Sequence, residues 1–159
     1  MTRAHYLVPS IPVSSSITVR LGAGAAGTDN LSDLDEGKLV KLVGESRYDL
    51  AVTGDEVEGI ITSVESATQG GFSIGGVNDT FDSIKVLFDG SEAAGTGSHA
   101  VNDYVVAGAI TAKGTALASY PKVRKATSQG TQKHLFRVVS LGTVGTGAVG
   151  TAGVIRRVR

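Results

Sequence analysis

The chain has 159 residues, of which 15 are Lys or Arg and 15 are Asp or Glu, so its formal net charge is zero with His neutral. It contains no cysteine, which excludes a disulfide framework, a thiolate nucleophile and a cysteine-based zinc site. It has no tryptophan and only four tyrosines and four phenylalanines, too few to favour a stacking platform for single-stranded nucleic acid. The length suits one domain with an arm.

The charges are divided along the chain. Residues 1–120 contain seven basic and 15 acidic residues, a net charge of −8, and residues 121–159 contain eight basic residues and no acidic one, a net charge of +8. Such asymmetry indicates a surface that meets an oppositely charged one. Because a phosphate backbone would also meet the acidic portion, we expect no nucleic-acid partner. The two portions pack together either within one chain or between copies, and the sequence leaves both possibilities open.

Residues 1–36 are predicted to form an extended N-terminal arm and linker. Pro9 and Pro12 favour an extended chain, Ile17–Leu21 is a candidate strand, and residues 28–36 are polar and acidic. A strand in such an arm can add to an exposed sheet edge of a neighbour. No apolar run has the length of a secretory signal or of a membrane-spanning helix, so we expect a protein kept in the cytoplasm, or in a particle assembled there, with no membrane partner.

Residues 37–159 are predicted to form a compact β-barrel or β-sandwich, which makes the protein all-β. Short runs of β-type residues alternate with turns rich in Gly, Asp, Asn and Ser. The two helix candidates, at 31–36 and 89–94, are too short or too bounded by glycine. The predicted strands span residues 38–43, 48–52, 57–64, 71–77, 83–88, 104–107, 109–112, 122–126, 135–141 and 154–158.

One stretch, residues 142–153, is low in complexity and rich in Gly and Thr. Two interpretations stay open for it: a flexible loop, or a glycine-rich strand edge that another backbone approaches closely. Its repeat is too short and too local to indicate a solenoid.

Residues 22–27 read Gly-Ala-Gly-Ala-Ala-Gly, which matches the G-x-G-x-x-G of dinucleotide-binding sites, and Glu45 lies about 20 residues further on. Such a site needs a helix that begins at the phosphates. The residues that follow, 28–36, include only two large apolar side chains and carry acids at the end where they oppose a helix dipole. We therefore predict a linker and no cofactor.

Two further constellations resemble sites but lack the required spacing. Asp29, Asp33, Asp35 and Glu36 do not follow the calcium-loop pattern, so we predict a solvated acidic loop and no metal site. A second group has the residue types of a catalytic triad, but no G-x-S-x-G nucleophile elbow is present in the sequence. We predict that the members of this group are loop residues. They are Ser98, His99 and Asp103.

Five segments carry a family resemblance: residues 37–43 (GKLVKLV), 47–51 (RYDLA), 54–65 (GDEVEGIITSVE), 102–108 (NDYVVAG) and 153–155 (GVI). In style and order they resemble small tailed-bacteriophage capsid decoration, or cement, proteins, over about residues 37–159. The resemblance implies a non-enzymatic β-rich protein on the capsid exterior of a virion, assembled in the host cytoplasm. It also implies that the protein binds the major capsid protein and stabilises its lattice, and that it forms a homo-oligomer, with a trimer favoured. It implies no catalytic residues and no cofactor.

For this function the candidate contacts fall into two groups. The apolar anchors of the arm would be Tyr6, Leu7, Val8 and Ile11, and the charged interface would be Arg156, Arg157 and Arg159. The alternative function is a receptor- or glycan-binding β module of a phage fibre or spike, for which eight aromatic residues leave little material. A third possibility is a small enzyme with a cofactor at residues 22–27, which alanine substitutions there would inactivate.

Overall fold

The computed structural model describes residues 16–24, 31–66, 71–91, 93–127 and 136–158. Its described residues are almost entirely strand, turn and loop, which confirms the all-β prediction, and the only helical element among them is a 3₁₀ turn at Asp33–Asp35. Within these ranges no helix is long and apolar enough to cross a membrane. The strands are β1 (Ile17–Leu21), β2 (Leu39–Gly44), β3 (Arg47–Leu50), β4 (Gly59–Glu65), β5 (Ser73–Asn78), β6 (Ser83–Ser91), β7 (Tyr104–Ala107), β8 (Lys122–Lys125), β9 (Phe136–Ser140) and β10 (Ala152–Arg157).

The ten strands form two closed five-stranded barrels, each made of consecutive strands. The order around the first barrel is β1-β3-β2-β4-β5, and around the second it is β10-β6-β8-β7-β9. Strand pairs β1–β3 and β6–β8 are parallel, and the other pairs in both rings are antiparallel. Because each ring closes, the strands present side-chain faces to partners instead of unpaired edges.

Each barrel has its own interior. It is filled by the inward-facing side chains, which alternate with outward-facing ones along each strand. In β6, for example, Ile84, Val86 and Phe88 are buried while Lys85 between them is exposed. The first barrel is filled by Val19, Leu21, Leu31, Val40, Tyr48, Leu50, Ile61 and Val77. The second core cluster contains Phe81, Ile84, Val86, Phe88, Val105, Ala107, Val123, Phe136, Val138 and Ile155, together with Leu39, Ala51, Val57 and Ile60 of the first barrel.

The two barrels repeat one topology. In each, the first strand runs parallel to the third and antiparallel to the fifth, and the second strand lies between the third and the fourth. The fourth strand of each barrel has a register irregularity against the fifth: it falls between Ile61 and Ser63 in β4, and between Val138 and Ser140 in β9. The chain is therefore a tandem duplication of one barrel at the level of structure.

Backbone hydrogen bonds outside the ladders repeat in the same way. The N–H of Gly37 donates to the carbonyl of Ile61 at 2.8 Å, and the N–H of Asn102 donates to the carbonyl of Val138 at 2.8 Å. Gly37 and Asn102 both have a positive φ, 83° and 75°. Asn tolerates this left-handed conformation better than most residues other than glycine. The second barrel can therefore form the same turn with Asn102 where the first barrel has Gly37.

The predicted boundary after residue 36 is wrong. β1 pairs with β5 along its whole length and with β3 at Arg20 and Leu21, so it is an integral strand of the first barrel. Leu31 and Asp35 are fully buried. Because both edges of β1 are paired within the chain, this strand is not the one that adds to a neighbour's sheet. Residues 1–15, the rest of the predicted arm, lie outside the described residues.

Two other local predictions also differ from the structure. Residues 109–112 form no strand, because the segment is held by a side chain instead of a ladder: the N–H of Ala109 donates to Oδ2 of Asp89 at 2.8 Å. The strand predicted at 83–88 continues to Ser91 as β6 and includes Gly90, which has a φ of 79°. The low-complexity stretch has two parts: residues 142–151 form turns and irregular backbone, and Gly153 lies inside β10.

A buried ion pair ties the barrels together. Nζ of Lys38 lies 2.6 Å from Oδ1 of Asp35, and the two side chains are 4% and 0% exposed. Lys38 also donates to the carbonyl of Ala112 at 2.7 Å, and the N–H of Gly114 donates to Asp35 at 2.9 Å, so both partners contact the second barrel's 109–120 segment. Burial raises the pKa of Asp35, but hydrogen bonds from Lys38, Ser32 and Gly114 outweigh it and hold the pKa below its usual value.

Candidate interaction surface

The division of charge follows the two barrels. Residues 16–80, which contain the first barrel, include four basic and 11 acidic residues, a net charge of −7. Residues 81–159, which contain the second, include ten basic and four acidic residues, a net charge of +6. The division of net charge found at residue 120 in the sequence thus reflects a folding unit that begins near residue 81. The molecule has an acidic barrel and a basic barrel.

Ion pairs within each barrel leave this division unchanged. Lys41 pairs with Asp55 at 2.6 Å in the first barrel, and Arg124 pairs with Asp89 at 2.8 Å in the second. Each such pair removes one charge of each sign from the same barrel. The net charges of −7 and +6 therefore remain available to partners, screened by salt over about 10 Å at 0.1 M.

Arg156, one of the predicted charged contacts, lies on the outer surface of β10. Its side chain is 56% exposed, and its Nε lies 3.5 Å from Oδ2 of Asp82. An exposed pair at this distance holds the guanidinium loosely. Arg156 is thus available for a contact with another molecule.

Arg157, the second predicted contact, has a structural role instead. It donates to the carbonyls of Asp79 at 2.6 Å and Phe81 at 3.3 Å, and its guanidinium lies 4.8 Å from the ring centroid of Phe136. Burial lowers its pKa, and the nearby carboxylates of Asp79 and Asp82 oppose this. The side chain fastens the connection between β5 and β6 onto the second barrel.

The remaining predicted contacts lie outside the described residues. They are Tyr6, Leu7, Val8 and Ile11 of the predicted arm, and Arg159 at the end of the chain.

Three exposed cations that sequence reasoning missed complete a basic surface with Arg156. We call this surface the basic face: it consists of Lys85, Lys122, Arg137 and Arg156. These residues lie on β6, β8, β9 and β10, which are consecutive around the second barrel in the order β9-β10-β6-β8. Each occupies an outward position next to a buried apolar residue. The alternation of charged and apolar residues along these strands is therefore the sequence signal that could have located them.

The register brings these cations close together. Arg137 and Arg156 are direct cross-strand partners. Lys85 pairs with Val154, two residues before Arg156 on β10, which places the two cations on a diagonal of roughly 7–8 Å. Like charges in such positions repel each other, so the face favours an acidic partner.

Two clefts border the basic face. One, of about 400 Å³, is lined by Asp82, Arg137, Arg156, Arg157 and Val158. The other, of about 320 Å³, is lined by Lys85, Tyr120, Gly142, Thr143, Val144, Ala152, Gly153 and Val154. The first is rich in guanidinium groups and the second is largely apolar, so the surface offers both charge and contact area.

The glycine motif at residues 22–27 has a structural setting unlike a dinucleotide site. Gly22 follows β1 with a φ of 93°, and its N–H donates to the carbonyl of Tyr48 at 2.8 Å. The next described helical element is the three-residue turn Asp33–Asp35, which is far shorter than the helix that such a site requires. Among the described residues, no group of three or more His, Asp or Glu side chains is placed to hold a metal ion.

The triad-like residues lie in a loop, as predicted, and do not form a triad. His99 is 3% exposed and stacks on Phe88 with a centroid distance of 4.4 Å. Among the described residues, neither ring nitrogen of His99 makes a hydrogen bond of good geometry. Asp103 instead accepts the N–H of Ala100 at 2.7 Å and pairs with Lys125 at 3.0 Å. His99 is therefore a core residue of the second barrel.

Burial makes His99 a source of acid sensitivity. Burial lowers its pKa below the usual 6.5, and the carboxylate of Asp103 only partly opposes this. In the unfolded chain the pKa is about 6.5. The stability that depends on neutral His99 is thus complete above about pH 6.5 and is lost as the pH falls through the lower folded-state pKa. We expect the Tm of the wild-type protein to fall by several degrees between about pH 7 and pH 5, and that of His99→Phe to fall less.

His99→Phe is a suitable comparison because it keeps a ring against Phe88 and leaves His5 and His134 in place. An equal fall in Tm for both proteins, followed by circular dichroism, would assign the acid sensitivity to other groups.

Comparisons with protein-family models, with curated proteins and with solved structures found no match to this chain.

Proposed function

We propose that this protein is a structural capsid decoration protein that binds the outer surface of a phage head and stabilises the lattice of the major capsid protein. The resemblance of residues 37–159 to that family motivates the proposal. The observation that carries it is the separation of charge onto two closed barrels, −7 on one and +6 on the other. A protein that acts by lying on other proteins needs extended charged surfaces, because complementary charge sets orientation and association rate.

The basic face provides such a surface on a rigid support. Its four cations lie on consecutive strands of a closed ring whose interior is filled by buried Phe, Val and Ile side chains. A rigid sheet loses little conformational entropy when it docks. In this proposal the protein is not an enzyme, it resides on the capsid exterior, and Arg156 contributes to the charged contacts.

The N-terminal arm supplies the second part of the proposal. Residues 1–15 contain the proposed anchors, and a fully extended segment of 15 residues spans up to roughly 50 Å. The apolar anchors Tyr6, Leu7, Val8 and Ile11 would bind the major capsid protein. An arm that orders on binding loses conformational entropy but covers a large surface.

We expect phage heads that lack this protein to open at a lower temperature, and more readily in low salt, than heads that carry it. Addition of the purified full-length chain should restore the stability. Electron microscopy and the release of packaged DNA during a temperature ramp would measure the difference. Heads of equal stability with and without the protein would refute the proposal.

Replacement of Tyr6, Leu7, Val8 and Ile11 by alanine is expected to weaken binding to such heads by about tenfold or more, because each loses an apolar side chain at the contact. The Tm of the free protein should not change. A variant with Ser14→Ala and Ser15→Ala changes the same segment without removing an apolar anchor, and it should bind as the wild type does. Cosedimentation with heads measures both.

A further inference from the structure

One face of the first barrel is buried against the second. Leu39, Ala51 and Ile60 lie in the second barrel's core cluster and are at most 6% exposed. Leu39 is the register partner of Ile60 across β2 and β4, and Ile60 is the partner of Asn78 across β4 and β5. Leu39, Ile60 and Asn78 therefore form one cross-strand row, which we call the docking row of the first barrel.

The second barrel has a corresponding row, formed by Tyr104, Arg137 and Arg156. Tyr104 pairs with Arg137 across β7 and β9, and Arg137 pairs with Arg156 across β9 and β10. Equivalent hydrogen bonds show which residues of the two rows correspond. The N–H of Ala126 donates to the carbonyl of Tyr104 at 2.9 Å, and the N–H of Ala51 donates to the carbonyl of Leu39 at 3.0 Å. Arg137 thus stands in the place of Ile60, and Arg156 in the place of Asn78.

The two rows differ in burial and in charge. Ile60 is 2% exposed and Asn78 is 0% exposed, whereas Arg137 and Arg156 are both exposed. The arginines border the 400 Å³ cleft, where Asp82 is the one carboxylate among the described lining residues. The second barrel therefore presents two exposed arginines at the positions where the docking row of the first barrel has the buried residues Ile60 and Asn78.

The first barrel has a complementary uncovered site. In the second barrel Ala107, three residues after Tyr104, is covered by a turn of the first barrel: the N–H of Gly54 donates to its carbonyl at 2.9 Å, and its own N–H donates to the carbonyl of Asp55 at 2.8 Å. The corresponding residue of the first barrel, three after Leu39, is Leu42, which is 50% exposed.

Two acidic residues lie near this exposed leucine. Glu58 accepts the N–H of Leu42, and Glu45, in the turn that follows β2, is exposed. We call Leu42, Glu45 and Glu58 the Leu42 surface. It combines an apolar side chain with two carboxylates, on the barrel that carries a net charge of −7.

We propose that copies of this chain associate head to tail, with Arg137 and Arg156 of one copy bound to the Leu42 surface of the next. The row of the second barrel would thus face the first barrel of the next copy, as the docking row of the first barrel faces the second barrel within the chain, and guanidinium–carboxylate pairs would be added. Such a heterologous contact closes into a ring or continues as a filament, depending on the rotation between copies. The inference does not rest on the proposed function, because it concerns the free protein.

Sedimentation velocity of the full-length chain tests it. At roughly 0.05 M salt, association should increase with protein concentration, and at roughly 0.5 M salt it should weaken, since the contact is between opposite charges. The variant Arg137→Glu with Arg156→Glu, and the variant Leu42→Arg, should each associate at least about tenfold more weakly than the wild type. Lys113→Glu and Val149→Arg, which make similar changes at exposed positions outside the contact, should associate normally.

Mixing the variants identifies the mode of contact. The double arginine variant keeps its Leu42 surface and Leu42→Arg keeps its basic row, so an equimolar mixture should form a one-to-one complex although each protein associates only weakly alone. If Leu42→Arg fails to fold, the double arginine variant mixed with wild type serves instead and should still bind. A monomeric wild type, a double variant that associates normally, or mixtures that form no complex would each overturn the inference.

Discussion

Replacement of Lys38 by methionine is expected to lower the free energy of unfolding by about 3–5 kcal/mol. Methionine keeps most of the apolar stem of the side chain and removes the ammonium group. Asp35 would then be left 0% exposed without its counter-charge, and the carbonyl of Ala112 would lose its donor. The large loss of stability arises because the charge of Asp35 stays buried without a partner. It does not measure the net contribution of the ion pair to the free energy of unfolding. Urea denaturation followed by circular dichroism measures it.

Lys41→Met is the matched control. Lys41 lies three residues further along, and its Nζ is also 2.6 Å from a carboxylate oxygen, that of Asp55. The two side chains are 34% and 24% exposed, so the same substitution should cost only about 0–1 kcal/mol. Equal costs at the two positions would mean that burial does not set the strength of the Asp35–Lys38 pair.

The sequence was sufficient to predict strands but not their arrangement. The segments 104–107 and 17–21 were predicted at their observed bounds, because apolar β-type residues there are flanked by turn residues. The duplication was not detectable, because equivalent residues are not separated by a constant number of positions. Leu39 precedes Tyr104 by 65 positions, whereas Ile61 precedes Val138 by 77. Loops of different length remove the fixed period that reveals a repeat.

The charged surface was predicted only in part, for a related reason. A run of basic residues near the end of the chain identified Arg156 but also Arg157, although their side chains have opposite environments. Arg137 was missed because its proximity to Arg156 is created by strand pairing between residues 19 positions apart. Cross-strand neighbours become visible only when the register is known.

The duplication also explains why charge could separate so completely. Each barrel fills its own interior, and the seam between them is held by apolar side chains, backbone hydrogen bonds and one buried ion pair. Surface charge on either barrel is therefore not needed for these contacts. Opposite surface charge thus remains free to act between molecules, where it governs orientation and rate of association.

Gly153→Ala is expected to destabilise the protein by about 3 kcal/mol. A methyl group at residue 153 would lie 2.2 Å from a ring carbon of Phe88 and 2.6 Å from the carbonyl oxygen of Ser140. Phe88 is only 1% exposed and stacks on His99, so it has no room to move. This glycine therefore belongs to the second interpretation of the low-complexity stretch, a strand position that neighbouring atoms approach closely.

The duplication supplies a parallel test. Gly75 occupies the equivalent position in β5, where a methyl group would lie 2.1 Å from the carbonyl oxygen of Ser63 and 2.6 Å from Cδ1 of Leu21. Gly75→Ala should therefore cost a similar amount. Gly114→Ala is the control: it has a φ of 70° and open space around it, so it incurs only backbone strain of about 1 kcal/mol. Thermal unfolding that ranks Gly114→Ala equal to the other two would contradict a steric origin. Two matching large losses would indicate that both barrels need the same glycine for the same reason.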